Sequence, residues 1–218
     1  MRTIAFVTQK GGSGKSTIAS SLAVAAQEMK EKVGVVDMDP QGSLTNWVKN
    51  RGADDIEVVA SGAARLPAVL AQLKAKGCTL GIIDTPGAEG PASAAAMAVA
   101  DLNIIPSRPS MFDLWASAKT RAALTEVGAE FVFLLNQCPP AQQTARVRDG
   151  VETLEEMGGL ISPLVLARVD YQEAARHGLG VTEFSPAGAA AEEMRALWLS
   201  IRRRLARTKP RTAPRKAA

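Results

Sequence analysis

Residues 9–17 read QKGGSGKST, directly behind the apolar run TIAFVT and ahead of the helix-like stretch IASSLAVAAQEMK. A buried strand, a glycine-rich turn and a helix N-terminus in succession aim several backbone N–H groups at one point, which makes a cradle for phosphate. The pattern G-x-x-x-x-G-K-[ST] sets a lysine ammonium against the terminal phosphates and a hydroxyl on Mg²⁺, roles that Gly14, Lys15 and Ser16 can fill. The chain departs from that pattern in two ways. Gln9 stands where the first glycine belongs, and a second cation, Lys10, precedes Gly11, Gly12 and Ser13 at the mouth of the loop. A flexible Gly/Ser linker would account for the glycines but not for Gly-Lys-Ser behind an apolar strand.

Short apolar runs at 2–8, 33–37, 56–60, 79–84, 101–106, 131–136 and about 161–167 read as strands, and helix-like segments such as LPAVLAQLKAK separate most of them. Strands that are apolar throughout, alternating with amphipathic helices, predict βαβ units. The expected fold is therefore α/β, a doubly wound, mostly parallel sheet with helices on both faces. In such a sheet ligands gather at the carboxyl ends of the strands. Two of those ends carry acids. The second strand runs into VVDMDPQG, with Asp37 and Asp39 on alternate residues, and the fourth into IIDTPG, with Asp84 at its tip. An acid at a strand end beside a phosphate loop can hold Mg²⁺ through its water shell, so Asp84 is the metal candidate.

At 218 residues and 46% hydrophobic content the chain suits one globular domain. No run approaches the roughly 18 apolar residues of a membrane span, and the first residues lack the pattern of a signal peptide, so a cytoplasmic protein is expected. Cys78 and Cys138 are far apart with no C-x-x-C, which indicates neither a disulfide framework nor a cysteine metal site. The net charge of +4 is unevenly placed. Residues 202–218 hold eight Lys/Arg and no acid, leaving −4 on the rest of the chain. The division expected is a domain over 1–207 and a basic, disordered tail over 208–218.

The loop KGGSGKST, the turn DMDPQG and the strand end IIDTPG together resemble the ParA/MinD family of deviant-Walker ATPases. The likeness extends through IPSRPSMFDLWA, FLLNQ and RVDYQEAARHGLGVTEF to about residue 206. It implies a P-loop NTPase using ATP and Mg²⁺, with slow, partner-stimulated hydrolysis. It implies that Lys10 reaches across an ATP-sandwich homodimer to phosphates held by the partner subunit. Gly11, Gly12, Ser13, Gly14, Lys15, Ser16 and Thr17 would bind phosphates, with Ser16 on Mg²⁺ and Asp84 on a metal water. Asp39 matches the carboxylate that positions or activates the attacking water, Asp37 would support the metal shell, and Asn136 matches an adenine-contacting residue. Arg168 and His177 are given no role.

Relatives with one site do different work. The cysteines do not match iron–sulfur relatives, and Tyr171 alone cannot make the tyrosine cluster of the kinase relatives. ATP-dependent ligases such as dethiobiotin synthetase lack the Lys10 setting and the DPQG turn. The remaining contest is between DNA and a membrane. In EEMRALWLSIRRRLAR, residues Met194, Leu197, Trp198, Ile201 and Leu205 share a helical face, as in an interfacial membrane helix. A last helix covering the sheet explains the same face, and the tail that follows holds two prolines and no large apolar residue. Arg202, Arg203, Arg204, Arg207, Lys209, Arg211, Arg215 and Lys216 are thus expected to bind non-specific nucleoid DNA by counterion release, with a MinD-like membrane ATPase as the alternative and a merely solubilising tail still open. Met1 lies one residue ahead of the first strand, so no helix-turn-helix is expected. The partner expected is a ParB-like or other stimulating adaptor, and the cargo a plasmid, chromosome locus or protein cluster.

Overall fold

The computed structural model describes residues 1–140 and 144–211. Six strands, β1 (Arg2–Phe6), β2 (Val33–Asp37), β3 (Glu57–Ala60), β4 (Leu80–Asp84), β5 (Leu102–Ser107) and β6 (Phe131–Leu135), form one sheet in the order β3-β2-β4-β1-β5-β6, every neighbouring pair parallel. Nine α-helices are assigned among the described residues: α1 (Lys15–Glu28), α2 (Ser43–Asn50), α3 (Leu66–Ala75), α4 (Pro91–Val99), α5 (Met111–Glu126), α6 (Ala145–Glu156), α7 (Val169–Arg176), α8 (Val181–Phe184) and α9 (Ala189–Arg207).

The strands are apolar throughout because both faces are covered. Ile4, Phe6 and Ile82 pack with Leu22 of α1 and Trp198 of α9 on one side, while their neighbours Ala5, Val7 and Ile83 pack with Leu73 of α3, Ala96 of α4 and Leu124 of α5 on the other. This is the period of two of a pleated strand, filled on both faces. The apolar stripe of α9 closes the first core: Met194, Leu197, Trp198, Ile201 and Leu205 are all buried there. No helix of the described residues is long and apolar enough to cross a membrane.

The expected strand at about 161–167 is not one. The segment runs beside β6, with Ile161 N–H donating to Phe133 O at 2.8 Å and Val165 N–H to Leu135 O at 2.9 Å, but it pairs only through isolated bridges at Leu160 and Leu166. Pro163, which has no N–H to give, interrupts the ladder between them.

The folded body also runs past residue 207. The Arg2 guanidinium donates to Leu205 O at 2.8 Å and to Thr208 O at 3.2 Å. Arg211 N–H donates to Asp101 Oδ1 at 2.6 Å, and its Nη2 to Val127 O at 2.8 Å. The first tail residues are therefore a strap across the base of the sheet, and a disordered tail from 208 does not describe Thr208–Arg211. The remainder of the expected tail, with Arg215 and Lys216, lies outside the described residues.

Candidate functional site

β1, β2, β4, β5 and β6 all point their carboxyl ends at the loop between β1 and α1. That loop turns on Gly12 and Gly14, with φ of 74° and 88° in the left-handed region, and α1 begins at Lys15. The first N–H groups of a helix have no intrahelical partner, and the first turn of α1 carries no acid. The cradle is thus left for an anion from outside. Close approach also requires glycine at Gly14 and at Gly87. A Cβ on Gly14 would lie 2.3 Å from Asn136 Nδ2, and one on Gly87 would lie 2.8 Å from Gly11 Cα.

Behind the loop, Ser16 Oγ donates to Asp84 Oδ2 at 2.5 Å. Asp84 is fully buried. Its other oxygen, Oδ1, is buried with no hydrogen-bond partner among the described residues. Burial is the main cause that pushes this carboxyl up to about 7, outweighing the pull of the Ser16 hydrogen bond and the Lys15 charge. Lys15 is buried too, and burial lowers its pKa although Asp84 and Asp39 oppose the shift. A hydroxyl beside a carboxylate with a spare buried oxygen is the hard-oxygen pair that Mg²⁺ takes. Among the described residues no three His, Cys, Asp or Glu side chains converge, so a cation here would complete its shell with phosphate and water.

Asp37 and Asp84 end adjacent strands in register. The Asp37 carboxylate is engaged within its own loop: Oδ2 accepts from Thr45 N–H and Oγ1, each at 2.9 Å, and Oδ1 from Asp39 N–H at 3.2 Å. It shapes the turn into α2. That turn presents Asp39, half-buried, in the wall of a cavity of about 470 Å³ that also holds Gly12, Lys15, Ser16 and Trp47. The outer wall is bolted in place at Arg51, which pairs with Asp55 and with Glu183 of α8, each at 2.6 Å.

The two lysines of the loop face different spaces. Lys15 lines the 470 Å³ cavity. Lys10 instead lines a separate groove of about 310 Å³ with Arg108, Gln137 and Arg146, and its ammonium makes no ion pair among the described residues.

Asn136 reaches the loop from the end of β6, where its Nδ2 donates to Ser13 O at 2.7 Å. It also borders a cavity of about 250 Å³ with Gly14, Thr17, Arg168 and Tyr171. Arg168, given no role from sequence, thus stands at the site, whereas His177 stacks on Phe184 away from it. Sequence reasoning also missed Gln137, which donates to Gly12 O at 3.0 Å with φ of 53°, and the contact of Gly87 with Gly11. The Asn-Gln pair after an apolar strand and the Pro-Gly after Asp84 were the available signals.

The expected DNA-binding residues lie elsewhere. Arg202, Arg203, Arg207 and Lys209 are exposed, Arg204 is half-buried and donates to Phe131 O at 3.4 Å, and Arg211 is held in the strap. Their neighbours are the beginnings of β1, β5 and β6, so this basic surface is at the opposite end of the sheet from the phosphate loop.

A family model described as the CobQ/CobB/MinD/ParA nucleotide binding domain matches residues 4–182. The chain is 30% identical over 200 residues to the Maintenance of carboxysome distribution protein A of Halothiobacillus neapolitanus, covering 88% of this chain and 91% of that one. Among solved structures, apo McdA of Cyanothece superposes with a TM-score of 0.76 at 17% identity, over 94% of this chain and 99% of that one. The septum site-determining protein MinD of Pyrococcus horikoshii, complexed with Mg-ADP, gives 0.72 at 20% identity, over 92% and 95%.

Proposed function

Since this chain belongs to the CobQ/CobB/MinD/ParA nucleotide-binding family, we propose that it is a ParA-type positioning ATPase that closes into a dimer around ATP, binds DNA without sequence preference, and hydrolyses ATP when an adaptor protein stimulates it. The observation that carries the reading is the separation of Lys10 from Lys15 into two different cavities. Lys15 is placed to meet the phosphates of its own nucleotide. Lys10 lines the other groove, where it would serve phosphates that a second copy brings.

Mg²⁺ would be held by Ser16 directly and by Asp84 through water, and would neutralise phosphate charge. Asp39, in the same wall as Lys15, would position the attacking water, while Asp37 would hold the turn that carries Asp39. Asn136 and Thr17 border the cavity beside the loop, where the base would lie. The exposed arginines of α9 would hold DNA by its phosphates. The apolar face of α9 is spent in the core, which supports DNA over a membrane as the surface used. The relative from Halothiobacillus neapolitanus, covered nearly end to end, is named for carboxysome distribution, which favours a protein assembly as the cargo over a plasmid or chromosome locus.

Sedimentation with and without ATP, together with titration of a fluorescent ATP analogue, tests the reading. Lys10→Ala should bind ATP yet fail to form a stable dimer, whereas Lys15→Ala should lose ATP. A Lys10→Ala chain that dimerises as well as the parent would remove the cross-subunit role.

A further inference from the structure

Met111, Phe112 and Trp115, at the start of α5, are 59%, 70% and 58% exposed. The Phe112 and Trp115 rings meet edge to face, 5.6 Å between centroids. Three large apolar side chains on one turn form a patch that water covers poorly. Phe112 also forms part of the wall of the Lys10 groove, together with Arg108 and Arg146.

The acid in that wall, Asp113, is already engaged. It accepts from Arg108 Nε at 2.9 Å and from Ser110 Oγ at 2.5 Å, and its side chain is 3% exposed. This grip fixes the Arg108 guanidinium by one edge. Its two Nη groups have no hydrogen-bond partner among the described residues, and one lies 3.9 Å from where a Cβ on Gly12 would be. Arg108 therefore stands beside the phosphate loop, in one groove with Lys10, with its Nη donors left for a ligand. Asp113 offsets part of the Arg108 charge, but Lys10 makes no ion pair among the described residues, so the groove still favours an anion.

We propose that Arg108 is a third cation of the phosphate site, directed like Lys10 at nucleotide phosphates carried by a second copy of this chain, with Met111, Phe112 and Trp115 as the apolar rim that closes over the contact. The inference rests on the dimer reading above. A second copy fits both halves of the surface: it brings phosphate charge for the cations and, through a two-fold axis, the same apolar turn. The planar guanidinium can give two parallel hydrogen bonds to a phosphate, which an ammonium cannot, so lysine should replace it only in part.

The test compares the full-length parent with Arg108→Ala, Arg108→Lys and Trp115→Ala, all checked for a native melt. A fluorescent ATP analogue, titrated at protein concentrations too low for dimers, reads the monomer; sedimentation with Mg-ATP and steady-state turnover read the dimer. Arg108→Ala should keep monomer affinity within about twofold while weakening the dimer roughly tenfold or more and lowering turnover with it. Arg108→Lys should recover part of that loss, and Trp115→Ala should weaken the dimer without touching monomer affinity. Monomer affinity that falls as far as dimerisation would overturn the proposal, because Arg108 would then serve its own nucleotide. A parent that dimerises with an Arg108→Ala chain that dimerises equally would overturn this inference alone. A parent that stays monomeric with ATP would overturn the dimer reading and this inference together.

Discussion

Replacing Asp84 by asparagine should make the nucleotide-free protein more stable while removing its response to Mg-ATP. The carboxyl has an ordinary value of 3.8, and burial pushes it up to about 7. Each tenfold change in proton affinity is about 1.4 kcal/mol, so ionising Asp84 inside the fold costs about 4 kcal/mol more than in the unfolded chain. Because the folded value is the higher one, the stability this group contributes is full below about 3.8 and is lost as the pH rises through about 7. At pH 8 the neutral amide avoids that cost. It keeps a carbonyl for Ser16 but buries an N–H₂ needing a partner, so a net gain of about 1–3 kcal/mol is expected, or a rise of about 2–4 °C in Tm per kcal/mol for a chain of this size. At pH 5 the advantage should shrink to less than about half. Melts of both proteins at the two pH values, with and without Mg-ATP, measure it. With Mg-ATP the order should invert, since binding to the native state stabilises only the protein that can hold the cation and its phosphates. An Asp84→Asn chain no more stable than the parent at pH 8 without nucleotide, or a gain independent of pH, would refute the reasoning.

Asp39→Ala should bind ATP and dimerise but turn over at least about a hundredfold more slowly, by phosphate release with and without adaptor, because it removes the carboxylate facing the cavity without touching the Ser16–Asp84 pair. Gly87→Ala should lower ATP affinity about tenfold or more by isothermal titration and destabilise the fold by about 1–3 kcal/mol, since the new methyl must push the backbone of Gly11. Binding of arbitrary-sequence DNA should weaken as Arg202, Arg203, Arg207 and Lys209 are replaced by glutamine, and the slope of log K against log salt should fall by about 0.9 for each DNA phosphate that a removed cation had neutralised. Truncation after Ala206 is a poorer test than these substitutions, because it strips the Arg211 N–H from Asp101 as well as removing charge.

The strands, the phosphate loop and the acids at the ends of β2 and β4 were legible in the sequence because each is encoded at short range. Continuous apolar runs specify strands covered on both faces, Gly-Lys-Ser behind such a run specifies a cradle, and an aspartate closing a strand specifies its own place at the rim. The failed strand at 161–167 had the right apolar content but held Pro163, whose missing N–H matters only once β6 lies alongside. What the sequence could not reveal depends on the strand order. The Asn136 amide against Ser13, 123 residues away, the Arg51 clamp on Glu183, Gly87 pressed on Gly11 and the Arg211 strap on Asp101 are contacts between distant segments, and no local pattern distinguishes them from solvated polar residues. The same holds for the lysines. Close together in the loop, Lys10 and Lys15 look alike as cations, and only the packed sheet, by burying one beside Asp84 and leaving the other in a groove with Arg108, gave them different spaces in which to act.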